Sequence, residues 1–202
     1  MLFALHDAKG TIHHAAFVAI DHGLRGALIA ELKLRGYVQT RSDGTARLHP
    51  SAPRPPTTPL LRDGLAALAP SPAPVTDWLD RLALVMPDLR VRTVALLEGR
   101  GLLRQEDRDR VGLVDAHAFP MVDGSAERAC RRETLEALDA GDEITPRDGA
   151  LVGLTVACHL EQEVLGGRAA DGVARATWVG ERDAVVRATV RAIAIAEGTW
   201  EG

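Results

Sequence analysis

The distribution of proline constrains this chain more than any other feature of its sequence. Eight of its eleven prolines lie between Pro50 and Pro74. Proline fixes its own φ angle and has no backbone donor, so these stretches exclude a central strand or the middle of a helix. We therefore predict proline-rich surface connectors near 50–59 and 69–75, both short enough to lie within a single domain spanning 1–202.

Outside these connectors, apolar residues recur at spacings of three and four. Five of them form one stripe between 16 and 35: Phe17, Ile20, Leu24, Leu28 and Leu32. This spacing predicts a helix that ends at Gly36. Similar patterns predict further helices over 60–68, from the N-cap Thr76 to beyond Leu84, over 88–100, from the N-cap Ser125 to Leu138, from the N-cap Thr145 to Gly166, and from Glu181 to Glu197.

Two segments repeat one pattern, in which a helix end is followed by Arg-Gly, an apolar strand, a polar turn and a returning strand. They cover 32–48, with the turn at Ser42-Asp-Gly44, and 97–113. Asp-Gly between apolar runs is a strong hairpin signal. The predicted fold is therefore mainly α, a compact helical domain with two short β-hairpins in helix-plus-hairpin units.

Composition and charge exclude several functional classes. The net charge is −4 and aromatic residues are only 3% of the chain, which disfavours nucleic acid as a partner. No apolar run is long enough to span a membrane, and the amino terminus does not resemble a signal peptide, so we expect a cytoplasmic protein. The 22 arginines against two lysines, with abundant Ala, Gly and Pro, are typical of a GC-rich bacterial genome.

Motifs for catalysis or metal binding are absent from the sequence. His13 and His14 are adjacent and His22 follows eight residues later, which is not a metal-ligand spacing. His159 is placed to pair with Glu163 at i+4 on a helix surface. There is no nucleophile elbow and no phosphate-binding glycine loop. We therefore expect no enzyme activity, no metal and no cofactor.

Arg25 is the most informative charged residue, because it lies within an apolar helix and between two glycines, Gly23 and Gly26. Small flanking residues allow a ligand or another backbone to approach closely, and a guanidinium there is suited to a phosphate. Arginines near Arg90 would complete a two-donor clamp. The alternative is that the glycines permit tight helix packing and that Arg25 pairs with an acid such as Asp21 or Glu31.

The sequence resembles the Golgi phosphoprotein 3 family along nearly its whole length. Several segments carry the resemblance in order: the Gly-Leu-Arg-Gly and Leu-Arg-Gly motifs within 23–36, then 59–65, 77–79, 97–103, 119–121 and 147–165. The resemblance implies a single, mainly helical domain. It also implies the role of the eukaryotic members, which are peripheral membrane proteins that bind phosphatidylinositol 4-phosphate and hold the cytoplasmic tails of Golgi glycosyltransferases.

The family's phosphate pocket can be carried over residue by residue. Arg25 matches the arginine of the family's Gly-Leu-Arg-Gly motif, and Arg90 matches the second of a later basic pair. The first of that pair falls on Pro87, and the pocket tryptophan falls on Ala16, beside Phe17. The resemblance thus implies a lipid-phosphate site made of Arg25 and Arg90, with Arg92 as a substitute donor and Phe17 as an apolar contact.

Two functional hypotheses follow from these observations. The first is a non-catalytic protein that docks peripherally at the inner face of a membrane, by binding the phosphate of phosphatidylinositol 4-phosphate or another anionic phospholipid head group. The alternative is a protein-interaction or regulatory module of winged-helix type, with a protein partner or with DNA.

Overall fold

Helices make up most of the chain in the computed structural model, which describes residues 2–4, 10–51, 54–107 and 117–198. The mainly α prediction is confirmed. The α-helices are Ile20–Leu34 (α1), Pro59–Ala67 (α2), Val75–Val85 (α3), Leu89–Gly99 (α4), Ser125–Asp139 (α5), Pro146–Ala157 (α6), Glu161–Leu165 (α7), Ala169–Arg182 (α8) and Ala184–Gly198 (α9).

The short strands form two antiparallel sheets. They are Val38–Thr40 (β1), Thr45–Leu48 (β2), Ala73–Pro74 (β3), Glu106–Asp107 (β4) and His117–Ala118 (β5). The first hairpin, β1–β2, is as predicted, since Gly44 has a φ of +88° and the Asp43 carboxylate accepts a hydrogen bond from the amide of Thr45. The second connector adds β3 to the edge of this sheet, where a proline interrupts no inner ladder.

The second hairpin differs from the prediction in its returning strand. β4 pairs with β5 at 117–118, whereas the sequence pattern ended the whole second unit at 113. Residues 108–116 lie outside the described residues. Leu103 forms a further bridge to Met121 below the hairpin.

The core is built around α1, which packs against α2, α3, α4, α6 and α9. Its inner face carries Ile29 and Leu32, both fully buried. The helices that pack on it bury Val185 and Val186 (α9) and Trp78 (α3) as completely. Each large apolar side chain buried in this way contributes about 1.5–3 kcal/mol to folding. The stripe that predicted α1 is therefore its core-facing side.

The predicted helix over 16–35 starts later than expected. Residues 17–19 form a turn, α1 begins at Ile20, and Phe17 is 61% exposed. Phe17 continues the apolar stripe in sequence, but it lies before the first helical turn and outside the core. An aromatic ring is therefore left at the surface.

The predicted helix from Thr145 to Gly166 is two helices. Its start is confirmed, since the Thr145 hydroxyl accepts from the amide of Asp148 at 3.2 Å. It ends at Ala157, because His159 adopts a left-handed φ of +57°. The amides of His159 and Leu160 then bond back to the carbonyls of Val156 and Thr155, which is a Schellman stop with histidine in the usual glycine position.

Helix α8 was not predicted, and the predicted last helix begins too early. Asp183 separates α8 from α9, and its carboxylate caps α9 by accepting from the amides of Val185 and Val186.

Two predicted N-caps were wrong. Thr76 lies inside α3, and Ser125 is the first residue of α5, where the Asp123 carboxylate accepts from its amide at 2.8 Å.

Candidate functional site

The first turns of α1 carry the predicted arginine. Asp21 and Arg25 are four residues apart, so they lie on one side of the helix, and Phe17 precedes Asp21 by the same interval. The two flanking glycines face into the protein. A Cβ at Gly23 would lie 2.2 Å from the Cys158 sulfur, and one at Gly26 would lie 2.2 Å from the Thr189 hydroxyl. The glycines therefore permit close helix packing, as the alternative interpretation held.

Arg25 is half-buried, and its guanidinium is poorly satisfied. The Nε atom is shielded from solvent and has no hydrogen-bond partner. Burial lowers the pKa of Arg25, and the nearby charge of Arg90 acts in the same direction, whereas Asp21 and Asp80 oppose the shift. A half-buried cation with an unused donor is a group that an incoming anion can stabilise.

Arg90 comes from the first turn of α4 and lies in the same place. Its guanidinium donates to both carboxylate oxygens of Asp21, from Nε at 2.8 Å and from Nη2 at 2.5 Å. The same guanidinium lies 5.9 Å from the centre of the exposed Phe17 ring. The structure thus brings Phe17, Arg25 and Arg90 together, and it places Asp21 among them.

Arg92 does not join this group. Residues two apart on a helix point in different directions, and the Arg92 guanidinium bonds instead to Asp63 of α2. The expected use of Arg92 as a substitute donor is corrected accordingly. The pairing of Arg25 with Asp21 or Glu31 is not formed either, because those carboxylates bond to Arg90 and Arg35.

We name Phe17, Asp21, Arg25, Asp80 and Arg90 the arginine cluster. Sequence reasoning did not assign Asp21 or Asp80 to a site. The sequence could have indicated Asp21, since it lies one helical turn before Arg25. The sequence could not have indicated Asp80, because only the packing of α3 against α1 brings it near Arg25.

His22 lies beside the cluster and is also half-buried. Burial lowers the pKa of His22, and the neighbouring Arg25 lowers it further, against the opposing charges of Asp21, Asp80 and Glu197. His22 is therefore held towards its neutral form, which keeps another positive charge away from the arginines.

Neither the cysteines nor His159 show the arrangement of an activated nucleophile or base. Burial raises the pKa of the Cys158 thiol to about 11, and burial also raises the pKa of Cys130. His159 bonds to Glu197 at 2.7 Å, so its predicted pairing with Glu163 was wrong. Over the described ranges, no three His, Cys, Asp or Glu side chains are grouped as a metal site, and no helix is long and apolar enough to cross a membrane.

These features define a class: a mainly α-helical protein whose first long helix leads into a hairpin and begins at a surface cluster of arginines. Comparison with known families agrees with it. The family model described as Golgi phosphoprotein 3 (GPP34) matches residues 1–196, and the chain belongs to this family. A search of curated proteins finds no match.

Proposed function

We propose that this protein is a non-catalytic, peripheral membrane-docking protein that holds the phosphate of an anionic phospholipid at the arginine cluster. Phosphatidylinositol 4-phosphate is the ligand that the family resemblance suggests, and phosphatidic acid or another anionic head group offers the same chemistry. Arg25 is the primary donor in this proposal. Arg90 is a second donor that must first release Asp21.

The observation that carries the proposal is the unused Nε donor of Arg25, shielded from water next to a second guanidinium. A buried donor without a partner costs about 1–3 kcal/mol, and a phosphate oxygen that accepts from this donor would remove that cost. Charge-assisted bonds from arginine to phosphate are also among the stronger hydrogen bonds in proteins.

The Arg90–Asp21 pair sets a condition on binding. Its side chains are 29% and 40% exposed, and an ion pair this accessible contributes about 0–1 kcal/mol. Exchanging the carboxylate for a phosphate is therefore possible, but it uses up to about 1 kcal/mol of the binding energy of the phosphate. However, Asp21 and Asp80 leave the cluster with no net positive charge, so we expect binding that is weak unless a second contact supports it.

Exposed apolar side chains next to the cluster supply that second contact. The Phe17 ring lies beside the Arg90 guanidinium, and Phe17 is 61% exposed. Val91, the residue after Arg90 in α4, is 69% exposed. Leu84, 82% exposed, lies one turn after Asp80 on α3. Stable peripheral binding generally needs two signals, and here a phosphate contact and shallow insertion of these side chains would act together.

The DNA-binding alternative finds less support. The other basic residues on α1 and directly after it are internally paired, Lys33 with Asp183 at 2.7 Å and Arg35 with Glu31 at 2.6 Å. With a net charge of −4, no general field favours a polyanion.

Co-sedimentation with vesicles tests the proposal. Vesicles of phosphatidylcholine alone are compared with vesicles that also contain phosphatidylinositol 4-phosphate, phosphatidic acid or phosphatidylserine. We expect sedimentation that depends on the anionic lipid and is lost in Arg25→Ala. The matched control is Arg92→Ala, which removes the same charge outside the cluster and should bind as the parent does. Equal loss in both variants, or no dependence on anionic lipid, would overturn the proposal.

A further inference from the structure

A groove of about 490 Å³ lies between α6, α8 and α9, and the lipid proposal does not use it. Its walls are mainly apolar and include Val156 of α6, Val173 and Ala176 of α8, and Val190 and Ile193 of α9. Val173 and Val190 remain 44% and 46% exposed, so the helices leave this space unfilled. A volume of this size is typical of small-molecule sites, about 300–1,000 Å³.

Charged groups lie at both ends of the groove, and one of these ends lies where α6 stops. There the left-handed His159 ends α6, and its ring bonds to Glu197 of α9 at 2.7 Å. Glu161, two residues further on, also lines the groove, and its Oε2 is shielded from solvent without a hydrogen-bond partner. The imidazole thus pairs with Glu197, and one oxygen of the Glu161 carboxylate is left unsatisfied.

At the opposite end, the charged groups of Arg187 and Glu181 both have hydrogen-bond partners. The Arg187 guanidinium donates to the carbonyls of Gly180, Glu181 and Ser42, and the Glu181 carboxylate accepts from Arg182. The charges at this end are therefore satisfied within the protein. The unsatisfied acceptor at the Glu161 end is the feature that a ligand can complete.

From this arrangement we infer that the groove binds a small amphiphilic cation, with an apolar chain along the valines and an ammonium or guanidinium group at Glu161 and Glu197. Charge complementarity selects the cation, because an unpartnered, shielded carboxylate oxygen is costly until a donor reaches it. A neutral chain would gain only the apolar burial, and an anion would meet two carboxylates. This site is independent of the phosphate contact at Arg25.

Titration calorimetry with three octyl compounds tests the inference. Octylammonium, n-octanol and octanoate have the same chain and differ in the charge of the head group. We expect octylammonium to bind about tenfold more tightly than octanol, equivalent to ~1.4 kcal/mol, and octanoate not to bind. Equal affinity for octylammonium and octanol, or no binding of any of the three, would overturn the inference.

Two variants locate the binding. Glu161→Gln should reduce the affinity for octylammonium to that for octanol, whereas Glu136→Gln, which removes the same charge on the exposed side of α5, should change nothing. Gly180→Phe fills the groove, because a Cβ at Gly180 meets no atom within 4 Å, and it should abolish binding. Gly99→Phe, equally unobstructed but on α4, is its control.

The same variants distinguish a second copy of the chain as the occupant. Sedimentation velocity of the parent protein should show no dimer that Gly180→Phe dissociates. Such a dimer would assign the groove to self-association and overturn the inference, as would octylammonium binding that survives Gly180→Phe.

Discussion

The Arg90 guanidinium and the Asp21 carboxylate form a two-bond ion pair between α4 and α1, with Arg25 one helical turn beyond Asp21. The pair makes Asp21 an internal substitute for the phosphate that the cluster is proposed to bind. An anion must compete with this carboxylate for Arg90. The affinity of the site is therefore set as much by Asp21 as by the two arginines.

Asp21→Asn should strengthen binding to anionic vesicles. The substitution removes the competing charge and frees Arg90, and we expect the affinity to rise about tenfold, or ~1.4 kcal/mol. Titration of vesicles against labelled protein measures it. Asp63→Asn is the matched control, because it releases Arg92 in the same way outside the cluster. An equal gain in both variants would show that only overall charge matters.

Gly26→Ala should destabilise the fold even though alanine is the better helix former. The new Cβ would lie 2.2 Å from the buried Thr189 hydroxyl, and overpacking of this kind costs about 1–3 kcal/mol. Urea unfolding measures the loss. Gly99→Ala, which meets no atom within 4 Å, should instead be neutral or slightly stabilising. A Gly26→Ala variant as stable as the parent would contradict the tight α1–α9 packing.

His22 should make stability depend on pH. Its pKa in the folded protein lies below its ordinary value of 6.5, chiefly because of burial and then Arg25, so the unfolded chain binds the proton more readily. Stability from this group is complete above pH 6.5 and decreases as the pH falls through that value. Unfolding free energies measured on both sides of 6.5 should differ less in His22→Gln than in the parent protein. An unchanged pH dependence would exclude His22 as its source.

The chain should unfold as a single domain. Buried side chains from Ala4 to Ile193 belong to one contiguous core, and the first long helix packs on the last. Differential scanning calorimetry should therefore show one transition, with equal calorimetric and van't Hoff enthalpies. Two resolved transitions would divide the chain, and the proline-rich connectors would be the first place to look for the boundary.

Sequence reasoning worked where one strong local signal acted alone. Thr145 followed by Pro146 and Asp148 identified a helix start, and the Asp-Gly at 43–44 identified a hairpin. It failed where a residue took an unusual conformation for its type. His159 ends α6 in the left-handed region without being glycine, so the pattern predicted one helix where there are two.

Helix α8 was missed for a different reason. Its buried positions include Ala169, Gly172 and Ala176, and these small residues give a weak apolar periodicity. Their value lies in close packing against α6 and α7, which only the tertiary structure shows.

Sequence reasoning predicted the two arginines of the arginine cluster but not its two aspartates. The motif around Arg25 was readable from the sequence, and the family resemblance implied Arg90. The bond from Arg90 to Asp21 joins residues 69 positions apart, and the field of Asp80 acts on Arg25 across two helices. No periodicity or motif predicts such long-range pairings.

The Nε–H resonance of Arg25 offers the most direct test of the central claim. In a ¹⁵N-labelled protein, addition of nanodiscs that contain phosphatidylinositol 4-phosphate or phosphatidic acid should shift this signal and slow its exchange with water, because the unused donor acquires a phosphate acceptor. Nanodiscs of phosphatidylcholine should leave it unchanged. If the protein binds the anionic nanodiscs while the Arg25 signal stays where it was, the phosphate is held elsewhere and the account is contradicted.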